Sequence, residues 1–334
     1  MLTVEHLTKV YRVPAEGGRS PLRRRTYRDL TAVDDMSFTI GDGEAVGYVG
    51  ANGAGKSTTI KMMTGLLAPT SGTVRLNGLD PRRRRMAVTR QIGVVFGQRS
   101  QLWPDLTVRE SFGLLRRVYG VSRARFDRNL ARTLDALPLE PLLDRQVKRL
   151  SLGQRVQADV AATFLHDPSV VFLDEPTIGL DLDVKDLVRT FVKARVAEGT
   201  TLILTSHDLN DIENLCERIV MIADGRMVYD GDLTELQRRY ARGRTVSLSL
   251  PRPVTDQDLD QVRTVVPHGT ELAADGQWLH IVADRYEVTQ MQVVRAVLPH
   301  VPVTDFEIHE ESIESVVRKL YRGELGDRAD NGAH

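Results

Sequence analysis

The chain opens with an alternation of apolar and polar positions, MLTVEHLTKVY, the period of a half-buried strand. Pro, Gly and a run of Arg break that alternation over residues 12–30, RVPAEGGRSPLRRRTYRDL, which reads as a surface insertion. AVDDMSFTI resumes a strand, GDGE makes a turn, and AVGYVG is a short buried strand. KSTTIKMMTGLL reads as a helix, and GTVRLNG and IGVVFGQ as strands. Residues 106–166, rich in Leu, Arg and Ala, follow a helical period. VVFLDEP and TLILTSH are continuous apolar runs, the pattern of strands buried on both faces of a parallel sheet. IVMIADGRMVYDG predicts a hairpin turning at Asp224-Gly225.

Near residue 241 the composition shifts. TVSLSL reads as a strand, DQDLDQVRTVV as a helix, and TELAADGQWLHIVA as a hairpin around Asp275-Gly276. VTQMQVVRAVL and SIESVVRKLY are helical in period, with the strand VTDFEI between them. The expected organisation is a large α/β domain over 1–240 whose helical part lies at about 100–166, a small α+β domain over 241–322, and a disordered tail over 323–334.

Candidate chemistry sits where strand AVGYVG meets the following helix. Gly50, Gly55, Lys56 and Ser57 complete the pattern G-x-x-x-x-G-K-[ST]. The glycines let the backbone curl until several N–H groups point at one anion. Lys56 supplies a compact positive charge for β and γ phosphates, the Ser57 hydroxyl can coordinate Mg²⁺, and the helix start adds its partial positive charge. VVFLDEP ends an apolar strand in two acids. Asp174 is suited to hold Mg²⁺ through water, and Glu175 to orient or deprotonate an attacking water.

The whole chain narrows the setting. Its 334 residues allow one large domain and a smaller one, and Lys+Arg and Asp+Glu both number 45. Zero formal net charge argues against a generally basic nucleic-acid binder. Cys216 is the only cysteine, so no intrachain disulfide can form, which fits a reducing compartment. No apolar stretch approaches the roughly 18 residues that span a bilayer, and the N-terminus has no apolar core of signal-peptide length. The chain is expected to be soluble, with any link to a membrane made through a partner or a surface.

Further motifs arrive in order: VVFGQRSQLWPDLTVRES, LSLGQRVQADVAA, TIGLD and TSHDL. Together with the phosphate loop they resemble the ATP-binding subunits of ABC (ATP-binding cassette) transporters over residues 2–235. Ser151, Gly153 and Gln154 match that family's L-S-G-G-Q signature; Gly179, Leu180 and Asp181 resemble its D-loop. His207 resembles the switch histidine, Gln98 the Q-loop glutamine, and Tyr11 the aromatic that stacks on adenine, with Tyr27 a second candidate. Each also has a plainer use. Ser151 can cap a helix, His207 can be a satisfied histidine at a strand end, Gln98 a polar loop residue, and Tyr11 a strand aromatic.

The resemblance implies an α/β fold, a P-loop NTPase ABC cassette with a RecA-like core, an antiparallel β subdomain and an α-helical subdomain. It implies ATP cradled by Asn52, Gly53, Ala54, Gly55, Lys56, Ser57 and Thr58, with Mg²⁺ held by Ser57, Gln98 and, through water, Asp174. It implies ATP hydrolysis in which Glu175 positions the water and His207 contacts the γ-phosphate. In the family two cassettes stack head to tail, so Ser151, Gly153, Gln154 and Asp181 would act in trans on the nucleotide of a second cassette, either an identical copy or a homologue. Integral membrane permease subunits are the other implied partners, placing the chain at the inner face of the cell membrane. The insertion, GQRSQLWPDLTVRES and the C-terminal region resemble the ABC-2-type exporter group, in which the C-terminal extension is regarded as dimer-supporting or regulatory. A soluble ABC ATPase acting on ribosomes or DNA is the competing class; such proteins usually carry two cassettes or a long coiled-coil insert, and this sequence has neither.

Three positions depart from the family pattern: Ala51 stands for a proline, Leu152 for the first glycine of the signature, and Ile178 for a serine before the D-loop. Leu152 places a side chain at the expected closing interface. Arg23 to Arg25 and Arg82 to Arg85 read either as solvated faces or as contacts to acidic lipid head groups or a membrane subunit. Cys216 reads as a packed helix residue, and Glu307, Glu310, Glu311 and Glu314 as a solvated helix end.

Overall fold

Strands β1 (Leu2–Pro14), β2 (Tyr27–Ile40) and β3 (Ala45–Gly50) open the computed structural model, followed by α1 (Lys56–Met63), β4 (Ser71–Leu76), α2 (Arg85–Thr89) and β5 (Ile92–Phe96). Helices α3 (Val108–Tyr119), α4 (Arg123–Ala136) and α5 (Leu152–Phe164) make the helical part. Then come β6 (Val170–Asp174), α6 (Leu182–Ala197), β7 (Thr201–Thr205), α7 (Leu209–Leu215), β8 (Arg218–Ala223) and β9 (Arg226–Asp232). These belong to the first of two compact units, Met1–Leu233. The structure describes residues 1–14, 27–97, 100–206, 208–241, 243–311 and 313–321. Gln98, His207, Arg23 to Arg25, and the tail over 323–334 lie outside the described residues.

Six strands form the main sheet in the order β5-β6-β7-β3-β8-β9, parallel throughout except for the antiparallel pair β8–β9. β3 and β7 are buried along their whole length, which is why neither shows alternation in the sequence. The strand order sets the carboxyl ends of β6, β7 and β3 side by side, the edge at which open α/β sheets bind ligands. A second, antiparallel sheet runs β2-β1-β4. One apolar cluster joins both sheets to α1: Leu7, Met36 and Phe38 pack with Val46, Tyr48 and Ile60. The β8–β9 hairpin turns at Asp224 and Gly225, with φ of 48° and 78°, the two left-handed positions a type I′ turn requires.

The expected insertion is shorter than 12–30. β1 runs on to Pro14 and β2 starts at Tyr27, paired through Tyr11↔Leu30, Arg12↔Asp29 and Pro14↔Tyr27. This ribbon is held by its backbone ladder and by Arg12 over the Tyr27 ring at 5.6 Å. Residues 27–31 of its second strand are exposed, so no buried face imposes an alternation that the sequence could display. In the helical part, Thr107 and Glu110 form a reciprocal capping box on α3, and Gly120 ends it in the left-handed region.

The second unit, Thr234–His334, starts ahead of the boundary expected at residue 240, within α8 (Leu233–Tyr240). β10 (Gly243–Ser249), α9 (Asp256–Val265), β11 (Glu271–Asp275), β12 (Trp278–Asp284), α10 (Gln290–Val297) and β13 (Asp305–Glu310) follow, with α11 (Ile313–Tyr321) last. Its sheet order β11-β12-β10-β13, antiparallel throughout, is the βαββαβ split arrangement. Val246, Leu248, Leu279 and Ile281 face Val262 of α9 and Val293 of α10 in its core. The β11–β12 turn falls at Gly276 and Gln277, one residue beyond the expected position. Glu310 pairs with Arg244, Glu311 with Lys319, and Glu307 with His309.

Candidate functional site

The glycine loop wraps the carboxyl end of β3 because two close approaches leave no room for side chains. A Cβ on Gly50 would lie 2.6 Å from Ile222 Cγ1, and one on Gly55 would lie 2.4 Å from the Ala32 carbonyl oxygen. Gly55 also has φ of 104°, open to glycine alone at low cost. The loop thus presses on β2 and β8 while its outer side lines an open cleft of about 270 Å³. Asn52, Gly53, Gly55, Lys56, Ser57 and Thr58 line this cleft with Asp174 and Glu175; Ala32 of β2 closes it on one side. Ala54, expected with them, is buried under the loop in the apolar cluster.

Lys56 is 8% exposed. Its ammonium donates to the Gly50 carbonyl and, at 3.2 Å, to that of Ala51. Burial lowers its pKa, opposed by the charges of Glu175 and Asp174. A cation held this way is a stiff donor waiting beside the cleft.

Thr205, at the end of β7 and fully buried, organises both acids. Its Oγ1 donates to Asp174 Oδ1 at 2.6 Å, and the Glu175 N–H donates to Thr205 O at 3.0 Å and Oγ1 at 3.2 Å. Glu175 has φ of 54°, a left-handed conformation that costs a non-glycine residue roughly 1–2 kcal/mol. The bend ends β6 and turns the Glu175 side chain toward the cleft it lines. Lys56, the Ser57 hydroxyl and the Asp174 carboxylate therefore face one space. That donor set fits the phosphates of a nucleotide and a magnesium ion coordinated by hydroxyl and carboxylate oxygens.

The signature residues lie elsewhere. Ser151 caps α5 in a reciprocal box: Gln154 N donates to Ser151 Oγ, and Ser151 N to Gln154 Oε1, both at 3.2 Å. Asp181 caps α6 by accepting from Val184 N at 2.9 Å. A Cβ on Gly153 would stand 3.3 Å from Val184 Cγ2, so this glycine lets the two helix starts approach. Ser151, Gly153, Gln154 and Asp181 line one open groove of about 600 Å³ together with Leu152 and Leu180. The four residues expected to act in trans are thus brought together, and the groove shares no lining residue with the cleft. Leu152 is 42% exposed, Ile178 46% and Leu182 74%. Leu152 leans on its own D-loop, 3.3 Å from where a Cβ of Gly179 would be.

Tyr11 is not brought to the cleft lining. It sits on the β1–β2 ribbon, opposite Leu30, beneath the Lys9 ammonium at 5.2 Å. Gln98 and His207 fall outside the described residues, but their neighbours are fixed. Asp159 of α5 accepts from Ser100 Oγ and Gln101 N, both at 2.9 Å, and burial raises its carboxyl to about 6. Cys216 is buried at the end of α7, and burial pushes its thiol well above the usual range. Arg82 to Arg85 are exposed. Ala32, Asp159 and Thr205 were missed in the sequence. Only Thr205 carried a signal there, as part of the apolar run TLILTSH expected to be a buried parallel strand. No helix among the described residues is long and apolar enough to cross a membrane.

A mainly parallel sheet with a glycine loop and a lysine after β3, and two acids at the end of β6 on the far side of β7, defines a nucleotide-hydrolysing P-loop cassette. The family model for the ABC transporter domain matches residues 33–178. Nod factor export ATP-binding protein I of Paraburkholderia xenovorans (strain LB400) is 36% identical over 236 residues, covering 70% of this chain and 77% of that protein. Linearmycin resistance ATP-binding protein LnrL of Bacillus subtilis (strain 168) is 28% identical over 91% of this chain and 98% of its own. A cassette solved as a dimer in a post-hydrolysis state with ADP and Pi has a TM-score of 0.59 and 26% identity, covering 70% of this chain and 99% of its own. The chain belongs to the ATP-binding subunits of ABC transporters, and it is an ATPase.

Proposed function

We propose that this chain is the ATP-hydrolysing motor subunit of an exporter, working as a head-to-tail pair of cassettes. One observation carries the reading. The residues suited to hold and cleave a triphosphate line one cleft, while the signature residues line a separate groove on the same chain. A groove of helix-start donors with no nucleotide cleft of its own makes chemical sense as the lid of another chain's cleft. The cassette relative solved as a dimer supports the pairing, and the names of the export and resistance relatives support the direction of transport.

Within the cleft, the loop N–H groups and Lys56 bind and orient the phosphates. Ser57, Gln98 and, through water, Asp174 would hold Mg²⁺, which when bound would screen phosphate charge. Glu175 takes the proton of the attacking water, with its carboxylate aimed by the bend after β6. His207 contacts the γ-phosphate, and Tyr11, on the ribbon that also supplies Ala32, stacks on adenine. Ser151, Gln154, the Gly153 N–H and Asp181 close over the partner's nucleotide. Closure excludes water and hydrolysis reopens the pair, moving permease subunits at the inner membrane face. The second cassette is an identical copy in this reading, and the second unit, from Thr234 on, is an accessory domain with no part in the chemistry.

The test is Glu175→Gln. Turnover should fall about 10²- to 10⁴-fold, the share of a positioned general base. ATP affinity should hold, and ATP should now trap a stable dimer visible by light scattering. A variant that still turns over normally, or a wild-type rate per molecule that survives dilution to strict monomers, would overturn the reading.

A further inference from the structure

We propose that Asp211 is a positioning residue that holds the segment carrying Glu175 and the segment carrying His207 in one register; this rests on the roles proposed above for those two residues. Asp211 lies on α7 and is 0% exposed, yet side chains from three other segments converge on it. Its Oδ2 accepts from Thr177 Oγ1 and, at 3.0 Å, from Ser206 Oγ. Its Oδ1 accepts from Arg189 Nε of α6 at 2.7 Å. Thr177 stands two residues after Glu175, and Ser206 immediately before His207. The same Ser206 Oγ accepts from Asp208 N at 3.0 Å, on the far side of His207.

One buried carboxylate therefore holds a residue close in sequence to each member of the proposed reacting pair. It also reaches α6, whose N-cap is Asp181, the D-loop residue offered to the partner. A shift at the acid would be felt at the histidine and at the interface. Fold stability alone does not explain the arrangement, because apolar side chains of similar volume often serve a buried ion pair's place as well. What the charged hub adds is fixed geometry, with each lone pair directed at one segment. Neither Asp211, Thr177 nor Ser206 lines the nucleotide cleft, so any effect on turnover must pass through the position of the residues between them.

Thr177→Val keeps the side-chain shape and removes the hydroxyl, whereas Thr177→Ser keeps the hydroxyl. In the full chain, Thr177→Val should lower kcat about tenfold with nucleotide Kd within about twofold of wild type, since small misplacements cost rate rather than binding. Thr177→Ser should keep kcat within about twofold. Asp211→Asn, which removes the charge, should repeat the Thr177→Val pattern. If it does not fold, the Thr177 pair decides alone. Wild-type turnover in Thr177→Val, equal slowing in both Thr177 variants, or loss of Kd in step with kcat would overturn the hub. Glu175→Gln is measured beside them. Should it remain active, the reading of Glu175 fails first; should it be dead while Thr177→Val is normal, the hub fails alone.

Discussion

The cleft and the groove are built from opposite materials. The cleft stands at strand ends, where a buried threonine joins the two acids and a buried lysine is held by the carbonyls of its own loop. The groove stands at helix starts, where Ser151 and Asp181 cap their own helices and the side chains stay in water. Charge that must not move is bought by burial in the first. In the second, the polar groups serve as helix caps at the surface, with the exposed Leu152 lining the same groove and Ile178 and Leu182 exposed on either side of the D-loop in the sequence. Chemistry can be stored in the cleft, but the groove gains strength only when a partner excludes the water from it.

The largest expected effect comes from separating the two on different chains. Lys56→Ala removes the cation of the cleft and leaves the groove. Gly153→Asp fills the groove, where Val184 already stands 3.3 Å from the first added carbon, and leaves the cleft. Each variant alone should be inactive. Equimolar mixing should return about a quarter of the wild-type rate, because half of random dimers are mixed and each has one intact pair of surfaces. Steady-state ATPase assays on the mixture check this, and a mixture as dead as its parents would break the comparison.

Thr205→Val follows. It keeps the shape at a buried position and removes the hydroxyl that joins Asp174 to the Glu175 backbone. Outer-shell partners of this kind are worth about 10- to 100-fold in activity or metal affinity. The expected result is a rate loss in that range, partly relieved by raised Mg²⁺, with magnesium-free nucleotide binding unchanged. A titration of rate against Mg²⁺ measures it. A rate equal to wild type would place the stiffness of the cleft elsewhere.

These contrasts also explain what the sequence could display. The phosphate loop was legible because its lysine and glycines serve a function no ordinary turn requires, and the acids because they end an apolar run. The signature was legible only through order and resemblance, since Ser151 also does what any N-cap serine does. Thr205 and Asp159 left almost no mark: a threonine ending a strand or an acid inside a helix is commonplace, and their partners lie far along the chain. The β1–β2 ribbon was invisible for another reason, being exposed and free of any pattern that burial would impose. The second unit was seen as α+β, but its strand order depends on pairings that no local signal specifies.

The smallest effect is the loss of stability in Ser151→Ala, and a second substitution at the same residue divides capping from closure. Ser151→Ala removes the oxygen that receives Gln154 N and should cost about 1 kcal/mol of stability, the usual worth of an N-cap. On the proposed pairing it also removes a hydroxyl offered to the partner's nucleotide, so its rate loss alone is ambiguous. Ser151→Asp resolves this. Aspartate is as good a cap as serine and suits the helix start, so the melting temperature should stay near wild type. In a closed pair its negative charge would meet phosphate, and turnover should collapse with nucleotide binding to the cleft intact. If the stable aspartate variant turns over normally, the groove does not close on a nucleotide, and Ser151 is left as the start of a helix.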